Sequence, residues 1–445
     1  MRRRGIYNAG VQRPKPSPIK PWLSFAASLL IAFGIWHWAN AMFLPANLAE
    51  ARAGLRPVGN NSDLYPRWLG AREALLHGRN PYSAEMTREI QAGFYGRPLD
   101  PRKPGDPAAR EAFTYPLYVI FLLAPTVTLP FSTVQEIFRW LLLFCMAGSV
   151  PLWMHAIGFH ARRWLMVTGM VLTLSSYPAV LEFHMQNLAV LVIFFLALAA
   201  AFLVRGWQTL SGFLLALATI KPEISWLAIL WFLLWAASDY PKRKSLIWSF
   251  VAAMLGLAGA AAAVLPTWIG QFLATLREYP TYGTDPNFFQ IFLPRWLATV
   301  VTVGTLAALF AMCWRWRKSL AGTPEFGWAL AWVAVVTLAV LPKLAAYNQP
   351  LLLPALLVLI AHYGAIARSR LFPRALTNGA FTCQIWQWAT ALALSGCSWL
   401  VPAADLRHLA QLPVYTFIAL SPMTLLAVVA VTFSRQKIAV LPTSS

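Results

Sequence analysis

Long apolar runs alternate with short polar tracts along almost the whole chain. Runs of about the length a bilayer crossing needs, roughly 20 residues, lie near 22–44, 114–130, 131–157, 164–182, 187–204, 207–221, 223–238, 245–266, 295–313, 323–343, 349–366, 383–401 and 413–433. The tracts between them are rich in Arg and Lys, as in Arg162-Arg163, Lys242-Arg243-Lys244, Arg317-Lys318 and Arg368 to Arg374. Basic loops stay on the cytoplasmic side. Thirteen crossings that begin inside would strand Arg435 and Lys437 outside. The segment 114–130 is short, carries Pro116, Pro125 and Pro130, and runs into the next apolar stretch with no polar loop. Read as re-entrant or interfacial, it leaves twelve crossings with both ends cytoplasmic; 164–182 is the other segment that could fill that part. The expected fold is an all-α polytopic membrane protein with about 12 transmembrane helices (11–13).

Composition agrees with lipid as the solvent: 58% of residues are hydrophobic, only 12% are charged, and the mean hydropathy is +0.57. The net charge of +20 reports topology, because the basic residues flank apolar runs. No nucleic-acid partner is implied; membrane lipids are. The four cysteines sit within apolar segments and read as packing residues.

The arrangement leaves two large extracytoplasmic loops, 45–113 and 267–294, and no room for a cytosolic catalytic domain. Residues 1–21 form a basic cytoplasmic tail, and 22–445 read as one transmembrane domain. The first loop holds eight of the sixteen acidic residues. Within it, Leu64, Tyr65, Trp68, Leu69, Leu75 and Leu76 recur at helical spacing, which predicts an amphipathic interfacial helix over 64–77. Gly78 should stop it, and Asn80-Pro81 should turn the chain.

Candidate chemistry is sparse. Asp63 precedes the loop helix, where a carboxylate serves as an N-cap or as a catalytic group at the membrane boundary. Lys221-Pro222-Glu223 interrupts an apolar stretch too long for one helix, and Pro342-Lys343 ends another on the outer side. A charge at that depth costs a few kcal/mol unless paired or hydrated (~2.5–3.5 on insertion scales). Lys221 and Lys343 therefore either snorkel or await an anion within the membrane, such as a lipid phosphate. Glu223, two residues from Lys221, should point away from it on a helix. His184 reads as an interfacial histidine. HExxH, Walker, GxSxG and DxD patterns are absent, so neither a metal nor a cofactor is expected.

These residues in this order resemble glycosyltransferase family 87, the C-type membrane glycosyltransferases that typically use polyprenyl-phosphate-linked mannose. The resemblance runs from about residue 20 to 365. It is carried by Ser62-Asp63-Leu64 with Tyr65 and Trp68, Gly78-x-Asn80-Pro81-Tyr82, Phe113-Thr114-Tyr115-Pro116, Gln186-Asn187, Ile220-Lys221-Pro222, Pro342-Lys343 and Tyr347-Asn348. The chain departs from the family in Met185-Gln186, where Gly-Gln is common, and in having Lys343 where some members carry a histidine. The resemblance implies a C-type glycosyltransferase fold. It also implies Asp63 as catalytic base, Lys221 and Lys343 as donor-phosphate ligands, and Tyr65, Asn80, Tyr82, Tyr115, Gln186, Asn187, Glu223, Tyr347 and Asn348 as substrate-binding residues. The partners would be a polyprenyl-phosphate-sugar donor and a lipid or glycan acceptor, met at the outer face of the plasma membrane.

The residues suit that chemistry in their own right. A sugar on a lipid phosphate already carries a good leaving group, so one carboxylate on the opposite face suffices, and inversion follows. A transporter or flippase for a polyprenyl-linked lipid is the alternative. Such proteins commonly show internal repeats, and none is visible here.

Overall fold

The computed structural model describes residues 21–53, 59–100, 106, 111–282, 288–341 and 345–438. The only regular secondary structure among those residues is helix, with no strand. The basic tail, apart from its last residue, and Lys343 lie outside the described residues.

Among the described residues, five helices are long and apolar enough to cross a membrane: Trp22–Ala53, Phe131–Ala156, Tyr240–Val264, Arg295–Trp316 and Arg407–Ser434. The pair Arg163–Leu174 and Tyr177–Met185 is bent by 58° at its break. Five further apolar helices are shorter, among them Ala189–Val204 and Pro222–Ala237 at 16 residues each. At 1.5 Å per residue these reach about 24 Å, against a hydrocarbon core of about 30 Å. Several runs read as full crossings thus fold as shorter pieces that pack against one another. The segment 114–130 is no span: it holds a five-residue helix, Val119–Leu123, and a turn of 3-10 helix. Its three prolines, each lacking an N–H, forbid a longer helix.

The core lies between Phe131–Ala156, Ala189–Val204, Pro222–Ala237 and Pro324–Val340. Trp332, Phe326, Phe232 and Trp231 are fully or almost fully buried there. Proline at the first helical turn, where no N–H is needed, starts four of the helices that shape the site: those bearing Pro66, Pro178, Pro222 and Pro324.

The first inter-helix segment has its own local scaffold. Helix Tyr65–His77 is followed by Gly78 in the left-handed region (φ 63°), as a C-terminal stop requires. Helix Ala84–Tyr95 is capped by the Ser83 hydroxyl, which accepts from the Met86 N–H. Arg79 joins the two helices through Glu73 (2.9 Å) and Glu89. Helix Tyr65–His77 packs with Pro66, Arg67, Trp68, Gly70, Ala71 and Ala74 inward, against Val119–Leu123 and Ala84–Tyr95. A glycine is required at 93: a Cβ there would lie 2.2 Å from the Tyr65 hydroxyl.

Candidate active site

The segment carrying Asp63 is stitched to the turn after helix Tyr177–Met185 by backbone and side chain together. The Asp63 N–H donates to the Met185 carbonyl at 2.7 Å. The Ser62 hydroxyl donates to the Gln186 Oε1 at 2.7 Å, and that oxygen also accepts from Gln135 Nε2 at 3.1 Å. Asn61 and Gln186 both adopt positive φ (48°), a conformation non-glycine residues seldom take. The two left-handed residues flank the junction, and their strain is held by the hydrogen bonds around it.

Asn187 is the hub. Its Nδ2 donates to Asp63 Oδ2 at 2.6 Å, while its Oδ1 accepts from Lys221 Nζ at 2.8 Å and from the Ala189 N–H at 2.9 Å. Two donors on one oxygen fix which way the amide points. The Asn187 N–H in turn donates to Glu182 Oε2 at 2.9 Å, so the residue is pinned through backbone and side chain alike. A carboxylate and an ammonium are thereby held on opposite ends of one buried amide. Asp63 is partly exposed, and its Oδ1 makes no hydrogen bond among the described residues.

Lys221 is 6% exposed. That removes the snorkelling alternative: the ammonium turns inward, onto Asn187 and over the Tyr347 ring at 4.9 Å. Glu223 Oε1 lies 3.9 Å from it. The expectation that Glu223 points away fails because Lys221, at φ −128° and ψ 80°, precedes the helix and does not follow helical angles. The N-cap reading of Asp63 fails as well. Leu64 occupies the cap position, and the Asp63 carboxylate is turned toward Asn187.

The other predicted site residues divide into two groups. Tyr115 is buried beneath the Arg67 guanidinium, 4.4 Å from ring centroid to Cζ, and its carbonyl accepts from the Tyr82 hydroxyl at 2.7 Å. Burial pushes both phenols well above their ordinary pKa, which leaves them as protonated donors. Asn348 is buried beside Tyr347, and its Oδ1 has no hydrogen-bond partner among the described residues. Tyr65 and Asn80 sit apart from the hub. Tyr65 packs on Phe131 (4.8 Å between centroids), and Asn80 Oδ1 accepts from the Tyr82 N–H at 3.0 Å, closing the turn after Gly78.

Two residues join this cluster without having stood out in the sequence. Glu182 is fully buried, with Oε2 on Asn187 and Oε1 unpartnered among the described residues. Arg67 is 8% exposed and donates from Nη1 to the Asp63 carbonyl at 2.7 Å. Burial penalises its charge, but Tyr115, Glu111, Asp63 and Tyr347 around it outweigh that, and the guanidinium pKa rises above its ordinary value. Spacing gave no signal for Arg67, which falls outside the face predicted from Leu64, Tyr65, Trp68, Leu69, Leu75 and Leu76; the helix instead buries the side that bears Arg67, Gly70, Ala71 and Ala74. Among the described residues, no three His, Cys, Asp or Glu side chains converge as a metal site requires.

Chemically, the hub offers a carboxylate oxygen that can accept a proton and, one amide away, an ammonium that can face an anion. The family model for glycosyltransferase family 87 matches residues 113–342. That stretch includes Tyr115, Glu182, Gln186, Asn187, Lys221 and Glu223. Asp63 and Arg67 precede it; Lys343, Tyr347 and Asn348 follow it. Neither the curated proteins nor the solved structures contain a match.

Proposed function

Since the chain belongs to glycosyltransferase family 87, we propose that this membrane glycosyltransferase moves a hexose, mannose by preference, from a polyprenyl-phosphate donor to a lipid-linked or glycan acceptor at the outer face of the plasma membrane, with inversion. The observation that carries the proposal is the single amide of Asn187 bridging Asp63 to Lys221. A direct ion pair would quench both groups. With the amide between them, the carboxylate keeps one oxygen available while the ammonium stays near the place where negative charge grows.

In the proposed reaction the acceptor hydroxyl gives its proton to Asp63 Oδ1 as its oxygen bonds to the anomeric carbon. The bond from that carbon to the phosphate oxygen breaks on the opposite side, and polyprenyl phosphate departs with one more negative charge. Lys221 stabilises that growing charge, which matters most at the transition state. Lys343 is assigned the same task on its position in the sequence. Tyr82, Tyr115, Tyr347 and Asn348 supply donors and surface for the sugar, with Gln186 holding the Asp63 segment in register. Tyr65 and Asn80 are assigned to the acceptor side, and Glu223 to keeping Lys221 charged.

The membership in a transferase family leaves the transporter alternative without support. The test is transfer from polyprenyl-phosphate-mannose by purified protein in vesicles, with release of polyprenyl phosphate and the product anomer both measured. Stoichiometric release with an inverted anomer is expected. A protein that uses only a soluble nucleotide-sugar, or retains configuration, would overturn the proposal.

A further inference from the structure

Arg67 has more hydrogen-bonding capacity than its surroundings use. A guanidinium has five N–H donors in a planar fork. Here, among the described residues, one hydrogen bond is made, from Nη1 to the Asp63 carbonyl. Nε is buried with no partner, and the nearest carboxylate oxygen, of Glu111, is 3.9 Å away at the outer limit of an ion pair. A buried cation in that state is costly. The ring of Tyr115 covers one face, so the unused donors lie in the plane of the fork. Lys221 belongs to the same cluster: Arg67 acts electrostatically on it, Asp63 acts on both, and Lys221 lies over the Tyr347 ring, whose phenol also acts on Arg67. Two buried cations are thus tied to one residue, Asp63, each through a different group. Arg67 holds its backbone carbonyl; Lys221 holds its side chain by way of Asn187.

We propose that Arg67 is a second ligand of the donor's phosphate, forming with Lys221 a two-cation clamp across Asp63. This rests on the donor reading given above and extends it to a residue outside that reading. Phosphate is the anion that matches an arginine fork with two acceptor oxygens at once. Because the same side chain grips the Asp63 carbonyl, a phosphate drawn onto Arg67 also bears on where the base stands. Loss of Arg67 should therefore lower kcat as well as weaken donor binding.

The test uses full-length protein in vesicles and compares wild type, Arg67→Met, Arg67→Lys and Lys221→Met. Polyprenyl phosphate, neutral polyprenol and phosphatidylglycerol serve as competitors of transfer, and Tm is measured alongside. For Arg67→Met the inhibition constant of polyprenyl phosphate should rise by about tenfold or more, the effect of one charge-assisted hydrogen bond. Arg67→Lys should fall between that and wild type, and polyprenol should compete equally with all. If both Arg67 variants bind polyprenyl phosphate as wild type does while Lys221→Met is weakened, Arg67 only tethers the backbone and the clamp is refuted, with the donor reading intact. Phosphatidylglycerol competition that depends on Arg67 would reassign the site to phospholipid headgroups and refute it too. If wild type itself makes no distinction between polyprenyl phosphate and polyprenol, the donor reading falls and takes the clamp with it. Should Arg67→Met lose its melting transition, Arg67→Lys decides by the same criteria.

Discussion

Helices Phe131–Ala156 and Tyr240–Val264 have nearly the same length and both are apolar enough to cross a membrane, yet the protein treats them oppositely. In their most apolar windows, 56% of the first is buried inside the protein and only 6% of the second, and the exposed helix has the higher mean hydropathy, 2.0 against 1.6. Lipid inverts the familiar rule. With no hydrophobic force between helices, association rests on close packing and polar contacts, so the helix with the more apolar window is the one left to the bilayer. The less apolar helix is kept inside because of what interrupts it: Gln135 donates to Gln186, and Arg139 donates to the Phe183 carbonyl. Both contacts brace the turn that carries Asn187. In Phe131–Ala156 the polar interruptions mark the side that faces the candidate site.

The largest effect expected from this contrast is chemical. Asp63→Asn keeps the size of the side chain and a partner for Asn187 but removes the proton acceptor. Transfer should fall by about 10²-fold or more with Tm nearly unchanged, and turnover at the wild-type rate would refute Asp63 as base. Next comes packing. Trp332→Ala empties a fully enclosed site and frees Thr432, its hydrogen-bond partner at 3.0 Å. The loss should approach the lower end of the ~3–5 kcal/mol of soluble cores. Trp248→Ala, at a tryptophan 59% exposed on the lipid-facing helix, should leave Tm in detergent nearly untouched. Equal losses for the pair would break the comparison.

The seam between the two regions offers a smaller and sharper test. A Cβ on Gly212 would meet Ser249 Oγ at 2.0 Å and the Leu246 carbonyl at 2.4 Å, so helix Gln208–Ala218 and helix Tyr240–Val264 touch nearly backbone to backbone there. Gly212→Ala should destabilise by about 1–3 kcal/mol, as overpacking does. Gly256→Ala, on the same exposed helix with open space around it, should stabilise by roughly 0.5–1 kcal/mol through helix propensity. Thermal melts of the two variants shifting in the same direction would mean the seam is not where the exposed helix is fastened. The smallest effect concerns pH. The hydrogen bond from Arg79 holds the Glu89 carboxyl below its ordinary 4.5. A depressed carboxylate stabilises the fold above its unfolded pKa, and that contribution is lost as pH falls from about that value through the folded one. Melting curves of Arg79→Met and wild type should therefore differ slightly at neutral pH and converge in acid.

Much of this was legible in the chain. Gly78 and Asn80-Pro81 announced the end of the loop helix, the prolines of 114–130 made it the better suspect for a segment that does not cross, and Asp63, Asn187 and Lys221 were singled out and do meet. What escaped was contact across elements. Spacing rules describe neighbours on one helix, so they gave Asp63 to a cap and turned Glu223 from Lys221. They offered no way to see that Glu182 would reach the Asn187 N–H or that Arg67 would grip the Asp63 carbonyl. Hydropathy likewise could not show which apolar runs would fold as helices of only 16 residues, because short and long helices alike are apolar on every side.

The bond between Asp63 and Asn187 joins residues 124 positions apart, and this sets an order of events during synthesis. At ribosomal speeds of about 5–20 residues per second, Asp63 waits on the order of ten seconds for its partner to be made. Only contacts encoded nearby can hold it meanwhile: the Arg79 ties between the two short helices, and the Gly93 and Phe94 carbonyls that accept from the Asn60 and Asn61 N–H groups. Those local ties are the contacts of the Asp63 segment that can form before residue 187 exists; the bond to Asn187 can only come after them.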